Sequence, residues 1–96
     1  MRGGTGRHYV ERMSALEVEF TVEPFVEATI GPHVRAAIAA AAATGVTVDI
    51  GPFSSSFVAP TDTAVVAVRD LLAAAAAAGA SRLALQVRVV TSGSTA

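Results

Sequence analysis

The residues best placed to do chemistry are three carboxylates and a run of hydroxyls. Glu17, Glu19 and Glu23 recur at alternate positions of LEVEFTVE (residues 16–23), with Thr21 in the same register. A two-residue step puts all four on one face of a strand. Carboxylates gathered this way can accept hydrogen bonds from a cationic or amino-bearing ligand. They can equally form a solvated or subunit-facing sheet surface, and the sequence admits both readings. GPFSSSF (residues 51–57) sets Ser54, Ser55 and Ser56 between Phe53 and Phe57. Hydroxyl donors and acceptors beside a stacking plane suit a planar heteroaromatic molecule. Ordinary serine spacing near a sheet edge accounts for the segment as well.

Other chemistry finds little support. His8 sits in an aperiodic N-terminal stretch, and His33 falls in the first turn of a helix, a solvated surface position, so no nucleophilic triad forms around the serines. Cysteine is absent and no His, Asp or Glu pair has ligand spacing, which leaves neither a thiolate site nor a metal set. GGTG near the start has no strand before it and no GK[ST] after it, so it is no phosphate loop. No catalytic residue is assigned and the expectation is a non-enzyme without a cofactor. All seven basic residues are Arg and the net charge is −1, with no basic cluster for nucleic acid. The Arg-only, Ala-rich usage fits a GC-rich bacterial genome. The alanine runs are broken by Thr44 and Gly45 and by Arg69 and Asp70, so no membrane insertion is expected. No apolar signal region opens the chain, and a soluble cytoplasmic protein is the expectation.

The elements that must position these groups follow from hydrophobic period. The alternating strand ends at Pro24, and Phe25 to Thr29 form a loop. Gly31-Pro32 opens a helix whose buried stripe is Val34, Ala37, Ile38 and Ala41, and Gly45 stops it. Val46 to Ile50 reads as a second strand, Gly51-Pro52 as a turn, and Phe53 to Ala59 as a third strand. A second helix starts near Pro60, with Thr61 or Asp62 as its cap. Its inward face is Val65, Val68, Leu72 and Ala75 with Leu71 beside it, and Arg69 and Asp70 look outward. Ala73 to Ala78 reads as helix propensity rather than a partner-packing face. The last strand turns Leu83, Leu85, Val87 and Val89 inward and Arg82, Ala84, Gln86 and Arg88 outward.

The order β-α-β-β-α-β in 96 residues has one common solution, a four-stranded antiparallel sheet with both helices on one face. Right-handed crossovers give the strand order 4-1-3-2. Glu17, Glu19 and Thr21 then lie beside Gln86 and Arg88, and Glu–Arg pairs are expected across the strands. Either Phe53, Ser55 and Phe57 or Ser54, Ser56 and Val58 must share that uncovered face. Residues 15–90 make one domain between a flexible extension (1–14), with Met13 an alternative start, and a polar tail (91–96). So few large side chains make a thin core, of the kind that oligomerising supports.

From Leu16 to Val90 the chain resembles the small thiamine-binding, YkoF-like proteins. VEFTVEPF (18–25), the helix ending in TGV (44–46), GPFSSSF (51–57) and AAGASRLALQVRV (77–89) carry the resemblance, in order and almost without gaps. It implies a ferredoxin-like α+β sandwich, a homo-oligomer (dimer or tetramer), and binding of thiamine or its hydroxymethyl-pyrimidine part in vitamin B1 uptake or salvage. Ser55 aligns with the central hydroxyl residue of the family's third strand, which implies a hydrogen bond to the ligand. Phe53 aligns with an aromatic, His or Met position, which implies packing on the pyrimidine. Glu23, Pro24 and Phe25 align with a segment that is often Tyr-Pro-Met, so Glu23 departs from the pattern there. The implied ligand set is Thr21, Glu23, Phe25, Phe53, Ser54, Ser55 and Ser56. The competing expectation is a structural or regulatory homo-oligomer with no small ligand.

Overall fold

Strict alternation fixes which way the first strand lies. In the computed structural model, which describes residues 14–24 and 30–91, Val18, Phe20 and Val22 are buried, and Leu16 packs against them. This strand, β1, spans Ser14–Glu23. It is followed by helix α1 (Pro32–Ala43), β2 (Asp49–Ile50), β3 (Ser55–Pro60), helix α2 (Thr61–Ala77) and β4 (Arg82–Thr91). The strands form one antiparallel sheet in the order β2-β3-β1-β4. That is the predicted 4-1-3-2, and the domain is a βαββαβ ferredoxin-like sandwich. Ser14 and Thr91, assigned above to the terminal extension and tail, lie opposite each other as the first pair of the β1–β4 ladder. The rest of the extension and the tail, and the loop 25–29, fall outside the described residues.

Local chemistry sets the helix ends. Pro32 occupies the first helical position, where its missing N–H costs nothing. At the other end the Thr44 hydroxyl donates to the Ala41 carbonyl at 2.6 Å. The chain enters α2 directly from β3. Pro60 stands at the cap without a side-chain bond, so neither Thr61 nor Asp62 caps the helix as expected. Asp62 lies in the first turn, where its carboxylate accepts the Thr63 N–H at 3.0 Å and faces the positive end of the dipole. At the C-terminus, Ala80 N–H bonds Ala75 O (3.0 Å) and Gly79 N–H bonds Ala76 O (3.2 Å). This paired closure needs a left-handed residue, and Gly79 has φ +100.

Three further expectations are corrected: the length of β2, the start of β3 (Ser55 rather than Phe53) and the buried stripe of α2. The second strand is shorter than Val46 to Ile50: only Asp49 and Ile50 pair with β3, while Val46 and Val48 pack on the core. The turn extends to Ser54, because Gly51 N–H bonds Ser54 O at 2.9 Å, and a Cβ on Gly51 would sit 2.9 Å from that oxygen. The buried stripe of α2 is Ala64, Ala67, Leu71 and Ala75, rotated about one residue from the predicted one, and Val65 and Leu72 are exposed. The cause is the close approach of α1 and α2. Helix separation depends on the side chains at the contact. Buried alanines on both helices let them approach, and the bulkier Val65 and Leu72 turn outward. Of the three largest fully buried side chains, Phe20 and Val18 come from the sheet and Leu71 from α2. Phe20 and Phe57 meet edge-to-face, centroids 6.3 Å apart.

Candidate functional site

The face of the sheet away from the helices carries the chemistry. Along β1 it presents Glu17, Glu19, Thr21 and Glu23, opposite Arg88, Gln86, Ala84 and Arg82 of β4. On the other side Val58 and Ser56 of β3 lie opposite Glu17 and Glu19. The choice left open for β3 is thereby resolved. Ser54, Ser56 and Val58 share the open face, and Ser55, Phe57 and Ala59 lie under the helices with Phe20 and Val18.

A groove of about 470 Å³ runs over the middle of this face, lined by Glu17, Glu19, Ser56, Gln86, Val87 and Arg88. Arg88 Nε donates to Glu17 Oε1 at 2.8 Å, and its Nη2 reaches the same oxygen. Ser54 Oγ donates to Glu19 Oε2 at 2.8 Å. The lining thus holds two carboxylates and one guanidinium, and Glu19 Oε1 has no partner among the described residues. The Glu17–Arg88 pair is largely exposed. Exposed pairs contribute at most about 1 kcal/mol, so a competing charged group can displace either partner. Beyond the groove, Arg82 Nη1 reaches Glu23 Oε2 at 3.4 Å, giving the second cross-strand Glu–Arg pair.

The structure brings together only part of the predicted ligand set. Ser56 lines the groove and Ser54 holds one of its carboxylates. Thr21 and Glu23 share the open face farther along β1. Ser55 is on the opposite face, buried at 6% exposure opposite Phe20. Adjacent strand residues point to opposite sides, so the three serines cannot converge. Phe53 lies in the β2–β3 turn, 70% exposed, and does not wall the groove. Phe25 falls outside the described residues. Glu17, Glu19, Gln86 and Arg88 line the groove but are absent from the predicted ligand set, although the alternation of LEVEFTVE and RLALQVRVV and the strand order already place them on this face.

His33 is not simply solvated. Its Nε2–H donates to the Pro24 carbonyl at 2.6 Å and ties the start of α1 to the end of β1, where the Glu23–Pro24 peptide bond is cis. Among the described residues, no three His, Cys, Asp or Glu side chains gather as a metal set. No helix among them is long and apolar enough to cross a membrane.

The Ser55 hydroxyl makes no hydrogen bond among the described residues. A buried hydroxyl without a partner carries its desolvation cost uncompensated. Ser55→Ala is therefore expected to leave stability unchanged or raise it by up to about 1 kcal/mol in urea unfolding. A loss of that size would show that the hydroxyl is bonded.

Fold and groove together define a small ferredoxin-like α+β domain with a polar, carboxylate-bearing open face. Among solved structures, it is similar to a domain of unknown function, DUF77, from Bacillus cereus, at 21% identity and TM-score 0.62. That match covers 85% of this chain and 81% of the other. It is also similar to protein SP2199 from Streptococcus pneumoniae, at 17% identity and TM-score 0.61 over 85% of this chain and 91% of that one. At these identities the likeness is one of fold. No protein-family model matches the chain, and no curated protein does.

Proposed function

We propose that this chain is a non-catalytic, cytoplasmic small-molecule-binding module that takes thiamine or its hydroxymethyl-pyrimidine portion into the open-face groove. One observation carries this reading: the groove sets two carboxylates against one guanidinium, beside an amide and a hydroxyl. Thiamine is cationic and its aminopyrimidine edge both donates and accepts. Glu19 Oε1 can accept from the exocyclic amine, and the Gln86 amide can donate to a ring nitrogen while accepting a further proton. The groove volume lies in the range of small-ligand sites. The hydroxyl implied at Ser55 is supplied instead by Ser56.

The groove is shallow, and no aromatic ring lines it. Two or three hydrogen bonds and a charge contact, less the cost of immobilising the ligand, give a Kd of about 100 µM, or about −5.5 kcal/mol. Titration calorimetry with thiamine tests this. Glu19→Gln keeps the shape of the side chain and removes its charge, and is expected to weaken binding about tenfold, or about 1.4 kcal/mol. No heat at millimolar thiamine would end the proposal, and an unchanged affinity in Glu19→Gln would remove Glu19 from the site.

A structural or regulatory homo-oligomer without a small ligand is the second reading. It is favoured by Val58, which is 58% exposed in the middle of the open face. In that case Glu19 or Arg88 substitutions change subunit mass in light scattering, and thiamine changes nothing.

A further inference from the structure

Charge is distributed unevenly over the groove. Its lining holds one guanidinium, and that group is engaged: Arg88 turns both Nε and Nη2 to Glu17 Oε1. These two nitrogens form an edge by which an arginine grips a phosphate or carboxylate with paired hydrogen bonds. The acceptors are less committed. Glu17 Oε2, like Glu19 Oε1, has no partner among the described residues. Strand register adds a third carboxylate. Asp49 of β2 stands opposite Ser56, Ser56 opposite Glu19, and Glu19 opposite Gln86, so these four make one row across the open face. Asp49 is exposed and has no ion-pair partner among the described residues. With the Glu23–Arg82 pair farther along, the described part of this face carries four carboxylates and two guanidiniums. The other described arginines, Arg35 and Arg69, lie on the helices.

We infer that the groove selects by charge, admitting the unphosphorylated organic cation and excluding its phosphate ester, with Glu17 as the specificity-determining residue. This inference rests on the ligand reading given above. Thiamine carries one positive charge and ends in a primary alcohol. A phosphate on that alcohol adds about −1.5 to −2 charges near pH 7 and turns a net cation into a net anion. The exposed Glu17–Arg88 pair is weak enough for a phosphate to open. Opening it does not clear the way, because the displaced Glu17 stays on β1 directly across from Arg88, with Glu19 two residues along the same face. The ester then gains one guanidinium and meets two carboxylates. A cation finds the opposite balance. It takes the place of Arg88 on Glu17, and the released guanidinium, whose side chain is 73% exposed, turns into water. Discrimination of this kind comes from repulsion set against the wrong ligand as much as from attraction for the right one.

Titration calorimetry of the full chain with thiamine and with thiamine monophosphate tests this, at low ionic strength, where exposed charges are least screened. The unmodified chain is expected to bind the ester about tenfold or more weakly than thiamine. Glu17→Gln removes one carboxylate charge and loosens the hold on Arg88. It is expected to bind the ester about fivefold more tightly and thiamine about fivefold more weakly, so that the preference is lost or reversed. The double variant Glu17→Gln/Arg88→Gln is expected to lose the gain for the ester, because the guanidinium that would hold the phosphate is gone. Both positions lie on the open face outside the core, and circular dichroism checks that the variants are folded. An ester that binds the unmodified chain as tightly as thiamine would overturn the inference without any variant, and would leave the groove as the ligand site. A preference unchanged in Glu17→Gln would overturn it too, as would a gain for the ester that survives the loss of Arg88. No heat with either compound would end the ligand reading itself, and this inference with it.

Discussion

Phe20→Ala is expected to lower the stability of the domain by about 3–5 kcal/mol, the largest effect of any single substitution. Phe20 is one of three large side chains that are essentially fully buried, and its ring meets Phe57 edge-to-face. Its neighbours across the ladder are Ser55 and Leu85, and the helix residues of the core are mostly alanines. Small side chains on rigid helices cannot swing in to fill the space a phenyl ring leaves. The cavity therefore stays open, and its cost adds to the lost transfer energy. Small domains have about 5–15 kcal/mol in total, so the variant should unfold at a much lower urea concentration and show a partly unfolded baseline at 37 °C. A loss under about 1.5 kcal/mol would mean that the core collapses around the gap and that the rigid alanine layer is misdescribed.

Ala67→Leu, the reverse experiment, tests the same layer from the other side. Ala67 has no exposed surface and belongs to the stripe that α2 buries against the core, beside Ala64, Leu71 and Ala75. Three added carbons must be placed where two helices already lie close together. Forcing extra methylenes into a filled interior costs about 1–3 kcal/mol, and a helix held by short side chains on both sides belongs at the upper end. The control is Val65→Leu, one turn face away, where the side chain is 56% exposed and the change should be near zero. Equal effects at the two positions in thermal unfolding would contradict the observed orientation of α2.

That orientation is also where sequence reasoning fell short, and the reason is physical. Hydrophobic period places the bulkiest residues inward, so Val65 and Leu72 were expected in the core. Close helix packing rewards the smallest residues, and Ala64 and Ala67 took those positions. Alanine is neutral in a pattern of apolar against polar, which makes an alanine-rich helix hard to orient by period. The sheet was far more legible. Glutamate alternates with large apolar residues in β1, arginine and glutamine alternate with them in β4, and the connection rules then give the strand order and a Glu–Arg pair at Arg88, found with Glu17, while the Glu23–Arg82 pair is an addition of the structure. The three serines of β3 carry no such contrast. Only the register with β1, Glu19 opposite Ser56 and Phe20 opposite Ser55, shows which of them face the groove. The hydrogen bond from His33 to Pro24 was hidden for a different reason, since it joins two elements across a loop whose path the sequence does not specify.

The account rests on the open face being the working surface, with Glu19 at its centre. Amide chemical-shift mapping during a thiamine titration reads this residue by residue. The shifts should cluster at Glu17, Glu19, Ser56, Gln86 and Arg88, saturate together, and leave Ala37, Ala41 and Leu71 unmoved. Shifts confined to the helices, or none at millimolar thiamine, would contradict it.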